Sequence, residues 1–265
     1  MPPGMSAGCS AGAFSTVRRV RLYRVSAVVL RQRDLGETDR IVILYTRERG
    51  KLSAVAKGIK RPRSKLAGSL QLFSHAKVQL AAGRSLEVVT QAQAADIFYK
   101  LRGDMPRYAH ASYAAELLDA LTDEGLPDEA LFDLLAETLG GLDVGGDPAT
   151  LIRAFELKLL DHLGYGVELE VCVGCGAKIG AGGQGFSVAH GGVICRKCAD
   201  AQGGAPLSAM ALQALRELLA LPLAELGKKR LSRAAREELE RLLRAFVDFR
   251  LERPLRSAAF LKTDL

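Results

Sequence analysis

The chain has 265 residues, of which 48% are hydrophobic and 25% are charged. This is the composition of a folded globular protein with one to three domains, so a disordered chain is excluded. No apolar run reaches the roughly 20 residues that span a bilayer. Residues 1–20 contain no apolar segment after a basic start, which excludes a secretory signal. We therefore expect a cytoplasmic protein without a membrane partner, in which residues 1–20 form a flexible tail.

The net charge of +7 is distributed unevenly along the chain. Residues 1–100 carry 18 Lys and Arg against 6 Asp and Glu, whereas residues 101–170 carry 4 against 15. Residues 171–265 are basic again, with 15 against 9. A strongly basic block beside an acidic one indicates modules that face different partners. For the basic block, a phosphate backbone is the first candidate partner, and a solvated basic surface is the alternative.

Residues 21–95 show the short runs rich in β-branched residues that are typical of an antiparallel sheet. Turn residues separate five such runs: Leu22–Leu30, Ile41–Thr46, Lys51–Ala56, Lys77–Ala82 and Leu86–Thr90. The segments 47–50 and 82–84 predict tight hairpins, in which Gly50 and Gly83 supply a positive φ. Five strands within about seventy residues indicate a small closed barrel.

From residue 105 the apolar period becomes helical, and a helical period returns after residue 206. Asp147 followed by Pro148 predicts an N-cap and a first turn, and Gly164 predicts the end of that helix. The intervening segment is rich in Gly and Cys and has no period. We therefore predict an α+β multidomain protein. Its parts are a barrel over residues 21–100, a helical domain over 101–170 and 207–265, and a compact insert over 171–206.

Two C-x-x-C pairs lie within the insert: Cys172 with Cys175, and Cys195 with Cys198. The nineteen residues between the pairs match the tetrathiolate zinc pattern, and Gly174 and Gly176 allow a tight knuckle. A cytosolic protein rarely keeps such cysteines as disulfides, and a redox C-x-x-C needs a βαβ context that is absent here. We predict a structural Zn²⁺ site with four protein ligands and no open position, with His190 as a bystander.

A second signal is the segment Lys57–Lys65, in which five of nine residues are cationic and none is acidic. One Gly and one Pro within it favour an exposed loop, and loops between barrel strands are where small barrels take up oligonucleotides. Aromatic residues make up 6% of the chain, with no Trp. Phosphate contacts are therefore expected more than base readout. Tyr23, Tyr45 and Phe73 could stack on bases or belong to the core, and a solvated loop is the alternative for the segment itself.

The sequence contains no motif for nucleotide hydrolysis or for common hydrolases. G-x-x-x-x-G-K-[ST], H-E-x-x-H and G-x-S-x-G are all missing. Residues 180–185 satisfy G-x-G-x-x-G, but they lie between the cysteine pairs and not between a strand and a helix. We therefore expect no nucleotide cofactor and no catalytic residues. The carboxylates of residues 101–170 are interpreted as a solvated helix face.

Short motifs follow one another in a specific order: Gly36-Glu-Thr-Asp39 before a strand, Thr46-x-x-x-Gly50-Lys51, Ala56-Lys57-Gly58, Ser64, and Leu70-Gln-Leu-Phe73. Together they closely resemble the N-terminal domain of the bacterial DNA repair protein RecO family. Leu163-Gly-Tyr165, which leads into the first cysteine pair, resembles the entry of that family into its zinc module. The resemblance runs from about residue 21 to the last helix.

The resemblance implies an N-terminal OB-fold β-barrel, then an α-helical domain with an inserted zinc ribbon that has four cysteine ligands. It implies a recombination mediator, not an enzyme, at the bacterial nucleoid. Such a protein binds single- and double-stranded DNA and anneals complementary strands. With RecR, it helps to load the RecA recombinase onto DNA coated by single-strand DNA-binding protein. The cations expected to contact phosphate are Arg40, Lys51, Lys57, Lys60, Arg61, Arg63 and Lys65. The acidic helical segment is assigned to protein partners.

Two other classes of function stay open at this point. One is an enzyme that acts on nucleic acid, such as a nuclease with carboxylate-held Mg²⁺. The other is a zinc-ribbon protein of the ribosome or the transcription machinery, which binds structured RNA or polymerase. Cleavage of labelled DNA in the presence of Mg²⁺ would identify the first class. A preference for folded RNA over single-stranded DNA would identify the second.

Overall fold

The computed structural model describes residues 21–83, 85–180 and 184–262. The tail expected over residues 1–20 lies outside the described residues. Among the described residues, no helix has the length and apolar character that crossing a bilayer requires.

The N-terminal region is a closed barrel of five strands. Its elements are β1 (Leu22–Leu35), β2 (Asp39–Thr46), β3 (Gly50–Ala56), α1 (Lys65–Ser69), β4 (His75–Ala81) and β5 (Glu87–Asp96). The hydrogen-bonded order is β1-β2-β3-β5-β4, in which β3 pairs with β5 in parallel and the other pairings are antiparallel. A partly open Greek-key barrel of five strands is the OB-fold, so this prediction is confirmed.

The two hairpin glycines of the barrel have different roles. Gly50 has a φ of 63°, as predicted, and a Cβ at this position would lie 1.9 Å from the carbonyl oxygen of Leu126. Gly83 does not have a positive φ, so that prediction is wrong. A Cβ at Gly83 would lie 1.8 Å from the carbonyl oxygen of Leu86. Gly83 is therefore required by the close approach of the Leu86 carbonyl within the same turn.

Strand β1 contributes to two hydrophobic cores, because successive side chains point to opposite faces of a strand. Val25 and Val29 are buried in the interior of the barrel. Val28 and Leu30 are buried on the other face, in a cluster that also contains side chains of the helical region. Tyr45 of β2 belongs to this second cluster. The outer face of the barrel therefore shares one core with the helical region, and the interior of the barrel forms a second core.

Helices follow the barrel: α2 (Tyr99–Gly103), α3 (Met105–Leu121), α4 (Glu129–Val144) and α5 (Pro148–Leu160), with a π-helical turn at Asp161–Tyr165. The Asp147 side chain caps α5 by accepting from the Thr150 N–H at 3.0 Å. Gly164 has a φ of 83° and ends the helical path. Both predicted signals for this helix are confirmed.

The insert and the C-terminal region complete the chain. The insert contains β6 (Gln184–Ser187), β7 (Gly192–Ile194), α6 (Arg196–Gln202) and β8 (Ala205–Leu207), with the sheet order β7-β6-β8. The last elements are α7 (Ala209–Ala220), α8 (Leu223–Leu226), α9 (Arg233–Leu251) and a 3₁₀ helix at Ser257–Lys262. Phe186 of β6 packs edge-on against Phe246 of α9, with ring centroids 5.8 Å apart, which joins the insert to the helices.

Candidate nucleic-acid interface and metal centre

Residues Lys57–Lys65, which we call the basic loop, connect the end of β3 to α1. The five cationic residues of the loop are all exposed: Lys57, Lys60, Arg61, Arg63 and Lys65. Ile59 lies between them, is 4% exposed and packs in the core of the barrel. An apolar anchor therefore holds the loop on the barrel while its charges face solvent.

The backbone of the basic loop is ordered by the hairpin that joins β1 to β2. Gly58 takes a φ of 65°, and its N–H donates to the Asp39 carboxylate at 2.8 Å. The Lys60 N–H donates to the Thr38 carbonyl at 3.0 Å. Within the loop, the Arg61 N–H donates to the Gly58 carbonyl at 3.1 Å. The loop therefore presents its cations from a defined backbone shape.

A second carboxylate of the hairpin neutralises part of this charge. Asp34 accepts from Lys60 Nζ and from Arg40 Nε, each at 3.0 Å. Arg40 also donates to Gln32 Oε1 at 2.8 Å. The hydrogen bond from Lys60, followed by that from Arg40, lowers the pKa of Asp34. Within the part of the chain that the structure describes, the other four cations of the loop form no ion pair: Lys57, Arg61, Arg63 and Lys65.

Lys51, which was expected to contact phosphate, lies away from the basic loop. Its side chain is 12% exposed, and Nζ pairs with the Asp119 carboxylate at 3.2 Å. The same Nζ donates to the Asp119 carbonyl at 2.6 Å and to the Thr122 carbonyl. The helical region thus supplies all the hydrogen-bond acceptors that the structure shows for this ammonium group. We therefore remove Lys51 from the expected DNA contacts.

Two more cations of the barrel, both more exposed than Lys51, also pair with carboxylates of the acidic helices. Arg31 of β1 pairs with Asp119 at 3.2 Å, and Arg47 in the β2–β3 turn pairs with Asp133. We call this side of the barrel, defined by Arg31, Arg47 and Lys51, the covered face. The acidic segment was interpreted as a solvated face, and for Asp119, whose side chain is 17% exposed against the barrel, that interpretation is wrong. The Asp133 side chain is 45% exposed.

The aromatic residues considered for base stacking do not form a platform at the basic loop. Tyr45 and Phe73 are each 1% exposed and belong to the shared core. Tyr23 is half-buried, with the guanidinium of Arg49 4.9 Å from its ring centroid. The basic loop itself contains no aromatic residue. The loop therefore provides positive charges for ligand binding and no aromatic ring for base stacking.

The four cysteines of the insert converge on one point. The first pair lies in a turn before β6, and the second pair lies at the start of α6: Cys172, Cys175, Cys195 and Cys198. Their Sγ atoms all lie within 4.8 Å of one another, and the Sγ atoms of Cys175 and Cys195 are 3.7 Å apart. A tetrahedral site with Zn–S bonds of about 2.3 Å would place its sulfur atoms about 3.8 Å apart. The group could therefore hold a metal ion.

Glycines shape the first cysteine knuckle. Gly176 has a φ of 75°, and a Cβ at Gly174 would lie 3.1 Å from Cys198 Sγ. Both glycines therefore allow the tight knuckle that the sequence predicted. His190 bonds to Ser187 through Nδ1 at 2.9 Å and lies outside the group of four.

The thiols of the cluster ionise unequally. Burial opposes ionisation of Cys172, but backbone N–H groups, first that of Cys195, lower its pKa to about 6. Hydrogen bonds to the neighbouring thiols, first that of Cys195, raise the pKa of Cys198 to about 12. Four thiolates at these distances repel one another, and a divalent cation removes that repulsion.

Sequence reasoning missed Asp34 and Asp39 as parts of the interface. Residues 1–100 hold only 6 carboxylates, and three of them lie at the turn around Gly36: Asp34, Glu37 and Asp39. This concentration of acidic residues within a basic segment was the available signal. Its meaning depended on the loop that the hairpin contacts.

A cleft of about 630 Å³ lies between the barrel and the helices. Its lining includes Leu30 and Leu72 of the barrel region, Tyr108 and Met105 of α3, and Phe260 of the 3₁₀ helix. Met105 and Phe260 are 74% and 64% exposed. The sequence did not locate this cleft, because its walls come from three distant segments.

The fold and these sites define an OB-fold protein with a helical region and a four-cysteine module. Residues 20–98 match the family described as recombination protein O N terminal, and residues 102–259 match recombination protein O C terminal. The chain therefore belongs to the recombination protein O family of DNA repair proteins, as the resemblance indicated.

Three similar proteins, each described as DNA repair protein RecO, illustrate the relationship. The protein of Symbiobacterium thermophilum is 43% identical over 249 residues, which cover 91% of this chain and 97% of that protein. The Pelotomaculum thermopropionicum protein is 42% identical, with 91% and 94% covered. The Roseiflexus protein is 42% identical, with 92% and 86% covered.

Proposed function

We propose that this protein is a recombination mediator that binds single- and double-stranded DNA through the basic loop and anneals complementary strands. With RecR, it promotes loading of RecA onto DNA coated by single-strand DNA-binding protein. One observation carries the DNA-binding part: the loop is exposed and anchored, and four of its five cations form no ion pair among the described residues. The proposed contacts are Arg40, Lys57, Lys60, Arg61, Arg63 and Lys65.

The proposed mechanism is neutralisation of phosphate charge. Lys and Arg side chains that contact phosphates release condensed counterions, which favours binding and makes it salt-dependent. With about four to six phosphates contacted, log affinity falls with log salt at a slope of roughly −3 to −5. Annealing then needs no ATP, because base pairing supplies the free energy once the cations have screened the repulsion between strands.

The modules take different roles in this proposal. Residues 21–100 bind DNA, and the helical domain over 101–170 and 207–265 contacts RecR and single-strand DNA-binding protein. Residues 171–206 form a zinc ribbon. We place the protein in the bacterial cytoplasm, at the nucleoid.

Zn²⁺ is the proposed metal, held by the four cysteine thiolates. Four protein ligands leave no open position for water or substrate, so the ion would stabilise the insert and take no part in chemistry. This arrangement supports a binding protein and not an enzyme. Chelation is expected to release about one Zn²⁺ per chain, measured by a metal-sensitive dye, and to unfold the insert.

Charge removal tests the basic loop directly. The variant Lys57→Gln, Lys60→Gln, Arg61→Gln, Arg63→Gln should bind a labelled single-stranded oligonucleotide about tenfold more weakly or worse at low salt, with a flatter salt slope. A control with the same charge loss replaces exposed cations elsewhere by Gln: Lys100, Lys228, Arg241 and Arg253. Fluorescence anisotropy measures both, and circular dichroism checks folding. Unchanged affinity of the loop variant would exclude the site.

Strand annealing tests the activity itself. Two complementary labelled strands should pair faster with the protein and without ATP, both in the absence and in the presence of single-strand DNA-binding protein. Cleavage of the strands in the presence of Mg²⁺ would favour a nuclease instead. Stronger binding to folded RNA than to single-stranded DNA would favour a role in translation or transcription.

A further inference from the structure

Two carboxylates of the β1–β2 hairpin contact the basic loop in different ways. Asp39 Oδ1 accepts from the backbone N–H of Gly58 at 2.8 Å and from Thr38 Oγ1 at 2.8 Å. Asp34 instead accepts from the charged ends of Lys60 and Arg40. One carboxylate therefore holds the path of the loop, and the other holds one of its cations, Lys60, together with Arg40 of β2.

Asp39 helps to order the backbone of the loop, together with the buried Ile59 and the hydrogen bond from the Lys60 N–H to the Thr38 carbonyl. Gly58 has a φ of 65°, and glycine loses more conformational freedom on ordering than any other residue. The hydrogen bond from Gly58, followed by that from Thr38, lowers the pKa of Asp39, so its carboxylate is the form that holds the loop. A loop that is already ordered does not have to be ordered when DNA binds, which favours affinity.

Asp34 supplies Lys60 and Arg40 with the same kind of anionic oxygen acceptor that a DNA phosphate would supply. Both contacts are charge-assisted hydrogen bonds of 3.0 Å to carboxylate oxygens. The Asp34 side chain is 60% exposed, so an incoming phosphate can reach the same two cations. A phosphate that takes over these two hydrogen bonds displaces Asp34 from them.

We propose that the β1–β2 hairpin sets the DNA affinity of the basic loop in two opposite ways. Asp39 is a positioning residue that orders the loop backbone for DNA, and Asp34 is an internal competitor that a DNA phosphate displaces from Lys60 and Arg40. The inference rests on the proposed function of the loop.

Two substitutions of Asp39 separate geometry from charge. Asp39→Asn and Asp39→Ala remove the same charge, but only Asn keeps an oxygen that accepts from Gly58. With a labelled oligothymidylate as the probe, Asp39→Asn should bind at least as tightly as the wild type. Asp39→Ala should bind at least about threefold more weakly than Asp39→Asn. Equal affinities of the two variants would overturn the positioning role.

A second variant keeps this test decisive if Asp39→Ala does not fold. Gly58→Ala leaves Asp39 in place but disfavours the positive φ of the loop, and its Cβ would lie 3.3 Å from Arg61 Cδ. We expect weaker binding of the oligothymidylate with unchanged circular dichroism. Wild-type affinity in Gly58→Ala would show that loop shape does not matter, and the positioning role would fail.

Asp34 has a matched control on the same hairpin. Asp34→Asn and Glu37→Gln each remove one exposed negative charge, but Glu37 forms no hydrogen bond or ion pair with the loop among the described residues. Asp34→Asn should bind DNA more tightly than Glu37→Gln. Its salt slope should be steeper by about 0.7 for each further phosphate contacted. Equal behaviour of the two variants would overturn the competitor role.

The outcomes also separate this inference from the proposed function. If the wild type does not bind the oligothymidylate, or if removal of the loop cations has no effect, the proposed function fails. If the wild type binds through the loop while each matched pair behaves alike, the proposed function stands and the role of the hairpin fails.

Discussion

The basic loop and the covered face belong to the same barrel and to the same basic part of the sequence. The cations of the covered face pair with carboxylates of the helices, whereas most cations of the loop form no ion pair among the described residues. On the covered face, Arg31 and Lys51 pair with Asp119, and Arg47 pairs with Asp133. In the basic loop, Asp34 is the one carboxylate paired to a loop cation among the described residues. Excess charge in a sequence therefore does not identify a ligand surface until its internal partners are known.

Two glycines with similar φ angles provide the sharpest test of this comparison. Gly50 lies at the covered face with a φ of 63°, and Gly58 lies in the basic loop with a φ of 65°. Gly50→Ala should lower the free energy of unfolding by about 3 kcal/mol or more, because its Cβ would also overlap the Leu126 carbonyl. Gly58→Ala should lower it by about 1–2 kcal/mol. Urea unfolding measures both, and equal losses would contradict the tight packing at Gly50.

Two lysines provide an intermediate test. Lys51→Gln should lower the free energy of unfolding by about 1.5–3 kcal/mol, because a largely buried ammonium group and its charged hydrogen bonds to the helical region are lost. Its affinity for DNA should stay near that of the wild type. Lys57→Gln should change stability by less than about 0.5 kcal/mol and should weaken DNA binding. The comparison fails if Lys51→Gln weakens DNA binding as much as Lys57→Gln does.

The smallest expected effect is a pH dependence at the hairpin. The pKa of Asp39 is lowered by its hydrogen bond from Gly58, followed by that from Thr38, so the folded state favours the ionised form. The stabilisation is therefore present above the ordinary carboxyl pKa of about 3.9 and is lost as the pH falls through the lowered value. The difference in Tm between the wild type and Asp39→Ala should be largest near neutral pH and should shrink in acid. Calorimetry across this range measures it, and a constant difference would exclude the linkage.

Local patterns predicted much of this molecule. Alternation of β-branched residues indicated the barrel strands, and Asp147 with Pro148 indicated the start of α5. The C-x-x-C spacing brought four thiols to one point because each pair needs only a short turn between its members. These features depend on neighbours within a few residues or on a repeated spacing, and a sequence shows both.

Features that depend on contacts between distant parts of the chain could not be predicted from local sequence patterns. The burial of Lys51 depends on Asp119 and Thr122, which lie about seventy residues further along the chain. The close approach at Gly50 depends on the backbone at Leu126, which belongs to a distant part of the sequence. The role of Asp39 required the register of the β1–β2 hairpin against a loop that begins after β3.

Strand β1 contributes side chains to both hydrophobic cores, and this couples the stability of the barrel to that of the helices. Val25 and Val29 belong to the interior of the barrel, whereas Val28 and Leu30 belong to the core built with the helices. Loss of either core would expose apolar side chains on a strand that the other core needs. The barrel and the helices are therefore expected to melt together in one cooperative step. A load applied to the proposed DNA-binding loop would therefore act on the barrel and the helices together.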